Sequence, residues 1–167
     1  MTDNIENLVK KIGELAYYYE SVYHGCSQGV LKAIQDSLNL GDNLSFKAAS
    51  ALSAGVARMG ETCGALLGGV MAISLAYGRD RLEETVTSNA YLKAVNLSIK
   101  LFERFKKEFG SVKCFEVQKK IFGRSFDFKK VEDQQEFVKL GGYGPKGCPS
   151  VVKKAAMMAA EIILKGE

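Results

Sequence analysis

The stretch Ala65-Leu66-Leu67-Gly68-Gly69-Val70-Met71-Ala72-Ile73-Ser74-Leu75-Ala76 is the longest apolar run of the chain. It carries no charged residue on any side of a helix, which is typical of a helix buried at the centre of a protein. The two glycines in its middle would let neighbouring helices approach its backbone closely. The run is too short to span a bilayer. It therefore predicts a glycine-rich, buried central helix around which the rest of the chain packs.

Helical spacing of apolar residues continues on both sides of this run, and no segment shows the alternation typical of a strand. Ala, Leu, Lys and Glu, which favour helix, are common. The length of 167 residues is that of one domain. The sequence therefore predicts an all-α fold, a single-domain helical bundle of about seven helices over residues 1–167. The predicted helices cover residues 4–19, 27–38, 43–58, 63–77, 81–109, 112–122 and 149–165, with a further short helix near 134–138.

The net charge of +4 is unevenly distributed, with 15 Lys and Arg against 7 Asp and Glu in residues 93–154. A basic surface can bind nucleic acid or an acidic protein. No nucleic-acid-binding motif accompanies this charge, so we expect a solvated basic face that binds neither nucleic acid nor membrane. Small-residue helix faces and the tyrosines at 17–19 are compatible with a homodimer. The acidic start of the chain lacks the apolar segment of a signal peptide, so we expect a cytoplasmic protein.

Four cysteines are the residues that point to chemistry. Thiols stay reduced in the cytoplasm, so four of them favour metal or redox chemistry over structural disulfides. Each lies at the predicted N-terminus of a helix, and Pro149, a residue favoured at the first helical position, marks the start of the last one. The alternative for any single cysteine is a buried thiol that acts as a small hydrophobic side chain. The four are Cys26, Cys63, Cys114 and Cys148.

A thiol at a helix N-terminus faces unpaired N–H groups and the positive end of the helix dipole. Both are expected to lower its pKa and favour the thiolate, which binds metals and attacks disulfides. Glycines near the cysteines would let the backbone approach a bulky cofactor. We predict four redox-active thiols that also serve as metal ligands. The glycines predicted to contact a cofactor are Gly25, Gly64, Gly68 and Gly147.

The cysteine spacing excludes several familiar sites. No Cys-x-x-Cys occurs, which argues against a local zinc knuckle, a thioredoxin-like dithiol and a c-type haem attachment sequence. His24 is the only histidine, so haem is not expected. The loop Gly141–Gly147 has four glycines but lacks the ending of a phosphate-binding loop, and we expect it to be a flexible connection to Cys148.

The order and context of the cysteines resemble the C_GCAxxG_C_C family of proposed redox-active proteins, over residues 23–160. Cys26 corresponds to the first cysteine of the pattern, Cys63 to the second, Cys114 to the third and Cys148 to the fourth. The chain departs from the pattern at the second cysteine, because Thr62 stands where the family name has glycine. The family is similar to part of the split-Soret cytochromes, where an iron–sulfur centre accompanies haem. The resemblance therefore implies a metal or cluster site.

Three functions remain open at this point. Four converging thiolates could hold an iron–sulfur cluster or other metal for electron transfer or redox sensing. A metal-free protein could cycle Cys63 and one other cysteine between dithiol and disulfide. A zinc ion could stabilise a helical interaction module that has no redox role. A redox role implies a partner protein that the sequence does not name.

Overall fold

The computed structural model describes residues 2–167, and this part of the chain forms eight α-helices, one short 3-10 helix at Ser50–Leu52 and no strand beyond a single isolated bridge. The all-α prediction is confirmed. The short helix predicted near residues 134–138 is present and brings the number of α-helices in the described residues to eight. The helices are α1 (Thr2–Tyr23), α2 (Cys26–Leu38), α3 (Asn43–Ala48), α4 (Gly64–Tyr77), α5 (Asn89–Phe109), α6 (Cys114–Phe122), α7 (Val131–Lys139) and α8 (Cys148–Lys165).

The glycine-rich helix α4 lies at the centre, as predicted, and it shares this place with α8. Helix α4 contacts α2, α5 and α8, and α1 covers α8 and α2 on the other side. Leu66 and Ile73 of α4 and Val152 of α8 are fully buried in the one core that the helices share. None of the helices in the described residues is long and apolar enough to cross a membrane.

Two glycines of α4 explain how closely the central helices approach. A Cβ atom on Gly68 would run into the carbonyl oxygen of Ser27 in α2, which is backbone and cannot move aside easily. A Cβ atom on Gly69 would lie 2.7 Å from Leu101 of α5 and 3.1 Å from Ala159 of α8. The helix pairs α2–α4, α4–α5 and α4–α8 therefore depend on the missing side chains.

Helix α3 is much shorter than predicted. It begins at a capping box, in which Asp42 accepts a hydrogen bond from the Ser45 backbone N–H, and it ends at Ala48 rather than at residue 58. From Ala54 to Arg58, five successive residues have positive φ and turn the chain with the opposite hand. The alanines of this segment favour helix, but tertiary contacts at the cysteines override that preference.

Helix α5 begins at Asn89, not near residue 81 as predicted. Ser88 caps it by accepting a hydrogen bond from the Tyr91 N–H. The apolar residues that suggested an earlier start, Leu82 and Val86, are 93% and 77% exposed. Without a buried face, residues 81–87 have no packing to hold a helix, since tertiary burial supplies most helical stability.

Candidate functional site

The four cysteines lie at the N-termini of four different helices, as predicted. Cys26, Cys114 and Cys148 are the first residues of α2, α6 and α8. Cys63 is the residue before α4, its N-cap. The exact positions differ from the predicted ones by one or two residues. Backbone N–H groups lie at the Cys26 and Cys63 sulfurs, whereas the Cys114 sulfur accepts a hydrogen bond from the Gln118 side chain at 3.3 Å.

One cavity of about 620 Å³ is lined by all four cysteines. All four are free thiols. Cys63 and Cys114 are buried, while Cys26 and Cys148 are partly exposed. The fold thus brings together four residues that are far apart in the sequence, and it does so at the cavity wall.

An isolated antiparallel bridge between Thr62 and Lys113 positions two of the thiols. The Cys63 N–H donates to the Val112 carbonyl at 2.8 Å, and the Cys114 N–H donates to the Glu61 carbonyl at 2.6 Å. Cys63 and Cys114 directly follow the two bridging residues, so their side chains point to the same face of this short ladder. The bridge therefore holds the N-termini of α4 and α6 beside each other.

The turn of positive-φ residues at 54–58 packs against Cys26 and Cys114. The Ala54 N–H approaches the Cys26 sulfur and favours its charged form. Gly55 has a φ of 72°, and a Cβ atom there would lie 2.5 Å from the Glu61 nitrogen and 2.8 Å from Cys114 Cβ. Only glycine fits this approach. Positive φ at the non-glycine residues of this turn is backbone strain, which is concentrated at the cavity.

The loop before α8 is ordered by its own backbone, in contrast to the flexible connection that we expected. Gly142 N–H donates to the Phe137 carbonyl, and Cys148 N–H donates to the Gly142 carbonyl, both at 2.8 Å. Tyr143 stacks on the His24 ring with 3.6 Å between the ring centroids. The loop thus fixes Cys148 and adds an aromatic pair to the cavity wall.

Burial outweighs the helix N-termini in setting the thiol pKa values. Desolvation, the largest cause, raises the pKa of Cys63 and of Cys114 to about 12 and those of Cys26 and Cys148 well above the usual range. The N–H groups of Ala65 and Leu66 at Cys63 act in the opposite direction but are weaker. The expectation of lowered thiol pKa values is therefore wrong for the metal-free protein. In the metal-free protein these thiols are therefore protonated at neutral pH.

The structure places the four predicted cofactor-binding glycines in different settings. Gly25 lines the cavity and has a φ of 95°. A Cβ atom on Gly64 would lie 2.6 Å from the Cys26 sulfur, so this glycine makes room for a thiol. Gly68 faces the α2 backbone, and Gly147 faces the carbonyls of its own loop. Contact of these four glycines with a cofactor stays a prediction.

Glu20, Arg58 and Tyr143 are among the cavity residues that the sequence does not predict. The spacing of residues in α1 does indicate that Glu20 is buried. It follows the buried Ile12 and Ala16 at intervals of four residues, so it lies on the apolar stripe of α1. It is only 2% exposed, and burial raises its pKa to about 8.

The arrangement of donors bears on what the cavity could hold. In residues 2–167 no group of three or more His, Cys, Asp or Glu side chains is close enough together to bind one metal ion. A single zinc ion would need its sulfur ligands at about 2.3 Å from one point. The four thiols line one cavity, and among the described residues they do not form such a tight group.

Fold and site define a class: an all-helical protein with four free cysteines at helix N-termini around one cavity. Within that class the chain belongs to the C_GCAxxG_C_C family, described as putative redox-active proteins, whose model matches residues 24–162. No curated protein matches the chain, and no solved structure does. The family resemblance drawn from the cysteine pattern is thus confirmed over most of the chain.

Proposed function

We propose that the four cysteines form one redox site, which binds an iron–sulfur cluster and serves in electron transfer or redox sensing in the cytoplasm. The observation that carries this proposal is the cavity with four thiols from four helix N-termini in its wall. Four cysteines are the usual ligand set of an iron–sulfur cluster. Membership of a redox-active family supports the same class of function.

The cavity offers four thiol donors to a cluster. Cys26, Cys63, Cys114 and Cys148 would hold it, and it would supply one-electron chemistry when bound. Backbone N–H groups beside the sulfurs would stabilise negative charge there and so tune the reduction potential.

A metal-free dithiol site is the second candidate, and the Thr62–Lys113 bridge favours one pair for it. The bridge directs Cys63 and Cys114 to the same face, and after burial itself Cys114 is the neighbour that raises the pKa of Cys63 most. Joining the two sulfurs would release two protons and two electrons to an external oxidant such as a disulfide. The thiols of Cys26 and Cys148 would then take no part in the redox reaction.

Metal and sulfide analysis of protein purified without oxygen separates these candidates. The cluster proposal predicts iron with acid-labile sulfide and a visible absorption that dithionite bleaches, all lost in Cys63→Ser. The dithiol candidate predicts a colourless protein whose free thiol count changes by two on oxidation, and loses that change in Cys114→Ser. Protein that stays free of iron after attempted reconstitution would contradict the cluster proposal.

A further inference from the structure

Glu20 is a buried carboxyl group that the redox chemistry of the thiols does not use. It lies in the last turns of α1, it is 2% exposed, and it lines the cavity. Its Oε2 atom is fully buried and has no hydrogen-bond partner. Leaving a buried carboxylate without a partner costs several kcal/mol, so such groups are normally paired.

The described part of the chain supplies no cation for this carboxyl group. No Lys, Arg or His side chain there forms an ion pair with Glu20. The neighbouring His24 bonds the main-chain carbonyl of Glu20, not its carboxyl group. Arg58 also lines the cavity, but its guanidinium donates to the Phe128 carbonyl at 3.2 Å and its side chain faces solvent. No side chain of the described residues therefore supplies the positive charge that would stabilise an ionised Glu20, and a cation bound in the cavity would supply it.

Aromatic rings line the same cavity. His24 and Tyr143 are stacked, and Phe137 packs edge-on against Tyr143 at 5.1 Å between ring centroids. Phe128 and Tyr23 complete the aromatic part of the lining. Aromatic faces attract cations through their quadrupole. The volume of about 620 Å³ lies in the range of small-molecule sites.

We propose that this cavity binds a small organic cation, whose ammonium or amidinium group lies against the Glu20 carboxylate and whose body lies among the aromatic rings. An organic cation supplies both the hydrogen-bond donor and the charge that Oε2 lacks. It also suits aromatic walls better than an anion does. The proposal concerns the metal-free protein, because the four thiols line the same cavity and a cluster bound to them would compete with the cation for its space.

The test compares three probes of similar size and different charge: benzylammonium, benzyl alcohol and benzoate. Isothermal titration calorimetry is carried out on the full chain under reducing conditions after metal removal, so that no cluster occupies the cavity. Benzylammonium is expected to bind at least about tenfold more tightly than benzyl alcohol, because a charge-assisted hydrogen bond is made in a desolvated site. Benzoate is expected to bind most weakly.

The matched variants are Glu20→Gln and Glu6→Gln, which remove the same charge from the same helix, the first from the cavity and the second from an exposed position. The preference for benzylammonium should disappear in Glu20→Gln and persist in Glu6→Gln. Failure of benzylammonium to bind, equal binding of benzoate, or a preference that survives in Glu20→Gln would overturn the proposal. If Glu20→Gln does not fold, the three probes on the unchanged chain still decide it. Iron content does not enter this readout, so the cluster proposal can fail independently.

Discussion

At the scale of single residues, the thiols show two opposing effects of their surroundings. Each sulfur lies at a helix N-terminus, which favours the thiolate. Each is also desolvated, which favours the thiol, and desolvation is the larger effect at all four. Reactivity in the metal-free protein is therefore governed by burial. If the thiols bind a cluster as proposed, the helix N-termini would stabilise the thiolates that hold it.

Alkylation measures this balance directly. In metal-free, reduced protein at pH 8, we expect iodoacetamide to modify Cys63 and Cys114 at least about tenfold more slowly in the folded chain than in denaturant, because little thiolate is present and access is limited. Site-resolved mass spectrometry gives the rate at each cysteine. Faster reaction in the folded chain than in denaturant would show that the helix N-termini dominate after all.

Glu20 predicts a pH dependence of stability. Its pKa rises from 4.5 in the unfolded chain to about 8 in the folded one, so the folded state keeps a proton that the unfolded state releases in this range. The free energy of unfolding of the metal-free protein should therefore fall as pH rises from about 5 to about 8, by up to a few kcal/mol. Denaturant titrations at several pH values measure it.

Glu20→Gln should flatten this part of the pH profile, while Glu6→Gln, exposed on the same helix, should leave it unchanged. The stability lost between pH 5 and 8 is then assigned to one carboxyl group. An unaltered profile in Glu20→Gln would mean that the Glu20 carboxyl is already ionised near its unfolded pKa.

At the scale of elements, the α2–α4 contact depends on one missing side chain. Gly68→Ala should destabilise the protein by about 2 kcal/mol or more, because the new Cβ meets backbone at Ser27. Gly29→Ala is the matched control on the partner helix, since its Cβ would lie at an ordinary 3.4 Å from Val152. Higher helix propensity should leave this control unchanged or raise its stability by up to about 1 kcal/mol. Equal effects in chemical denaturation would show that the close approach is not needed.

In the turn of positive-φ residues at 54–58, introducing a glycine is expected to stabilise the protein. Val56, a β-branched residue with a φ of 61°, is 39% exposed, so it is strained and contributes little burial. Val56→Gly should raise the free energy of unfolding by about 1 kcal/mol. Val22→Gly, at a 49% exposed position of α1, should lower it by about 0.5 kcal/mol, because glycine weakens a right-handed helix. Destabilisation by both substitutions would argue against strain in the turn.

Helices α3, α4 and α5 show which parts of the fold can be predicted from the sequence and which cannot. Helices with a strong apolar stripe or an uncharged centre, such as α4, were predicted from local pattern alone. The end of α3 was not, because the alanines at 48–57 favour helix and the contacts that reverse the chain involve Cys26 and Cys114, far away in sequence. The start of α5 was placed too early because the pattern does not reveal that Leu82 and Val86 face solvent.

At the scale of the whole molecule, the fold converts four distant cysteines into neighbours of one cavity. Their placement at helix N-termini was predictable, because glycine, proline and capping residues mark helix starts. The cavity itself, its aromatic wall and the buried Glu20 depend on how α1, α7 and the loop 141–147 pack, which no local pattern encodes. The family match places the chain among proteins described as putative redox-active proteins, and the cavity lined by all four cysteines supports the proposal of a single shared site.

The most direct test of that shared site is the iron and sulfide content of four single variants, in which Cys26, Cys63, Cys114 or Cys148 is replaced by Ser, each purified without oxygen beside the unchanged chain. One site predicts that every variant loses the same visible absorption and most of the same iron, and that double variants lose little more, because ligands of one group act together. Circular dichroism checks that each variant remains helical. Folded variants that keep full iron after loss of one or two of these thiols, or a chain that never binds iron, would contradict the account.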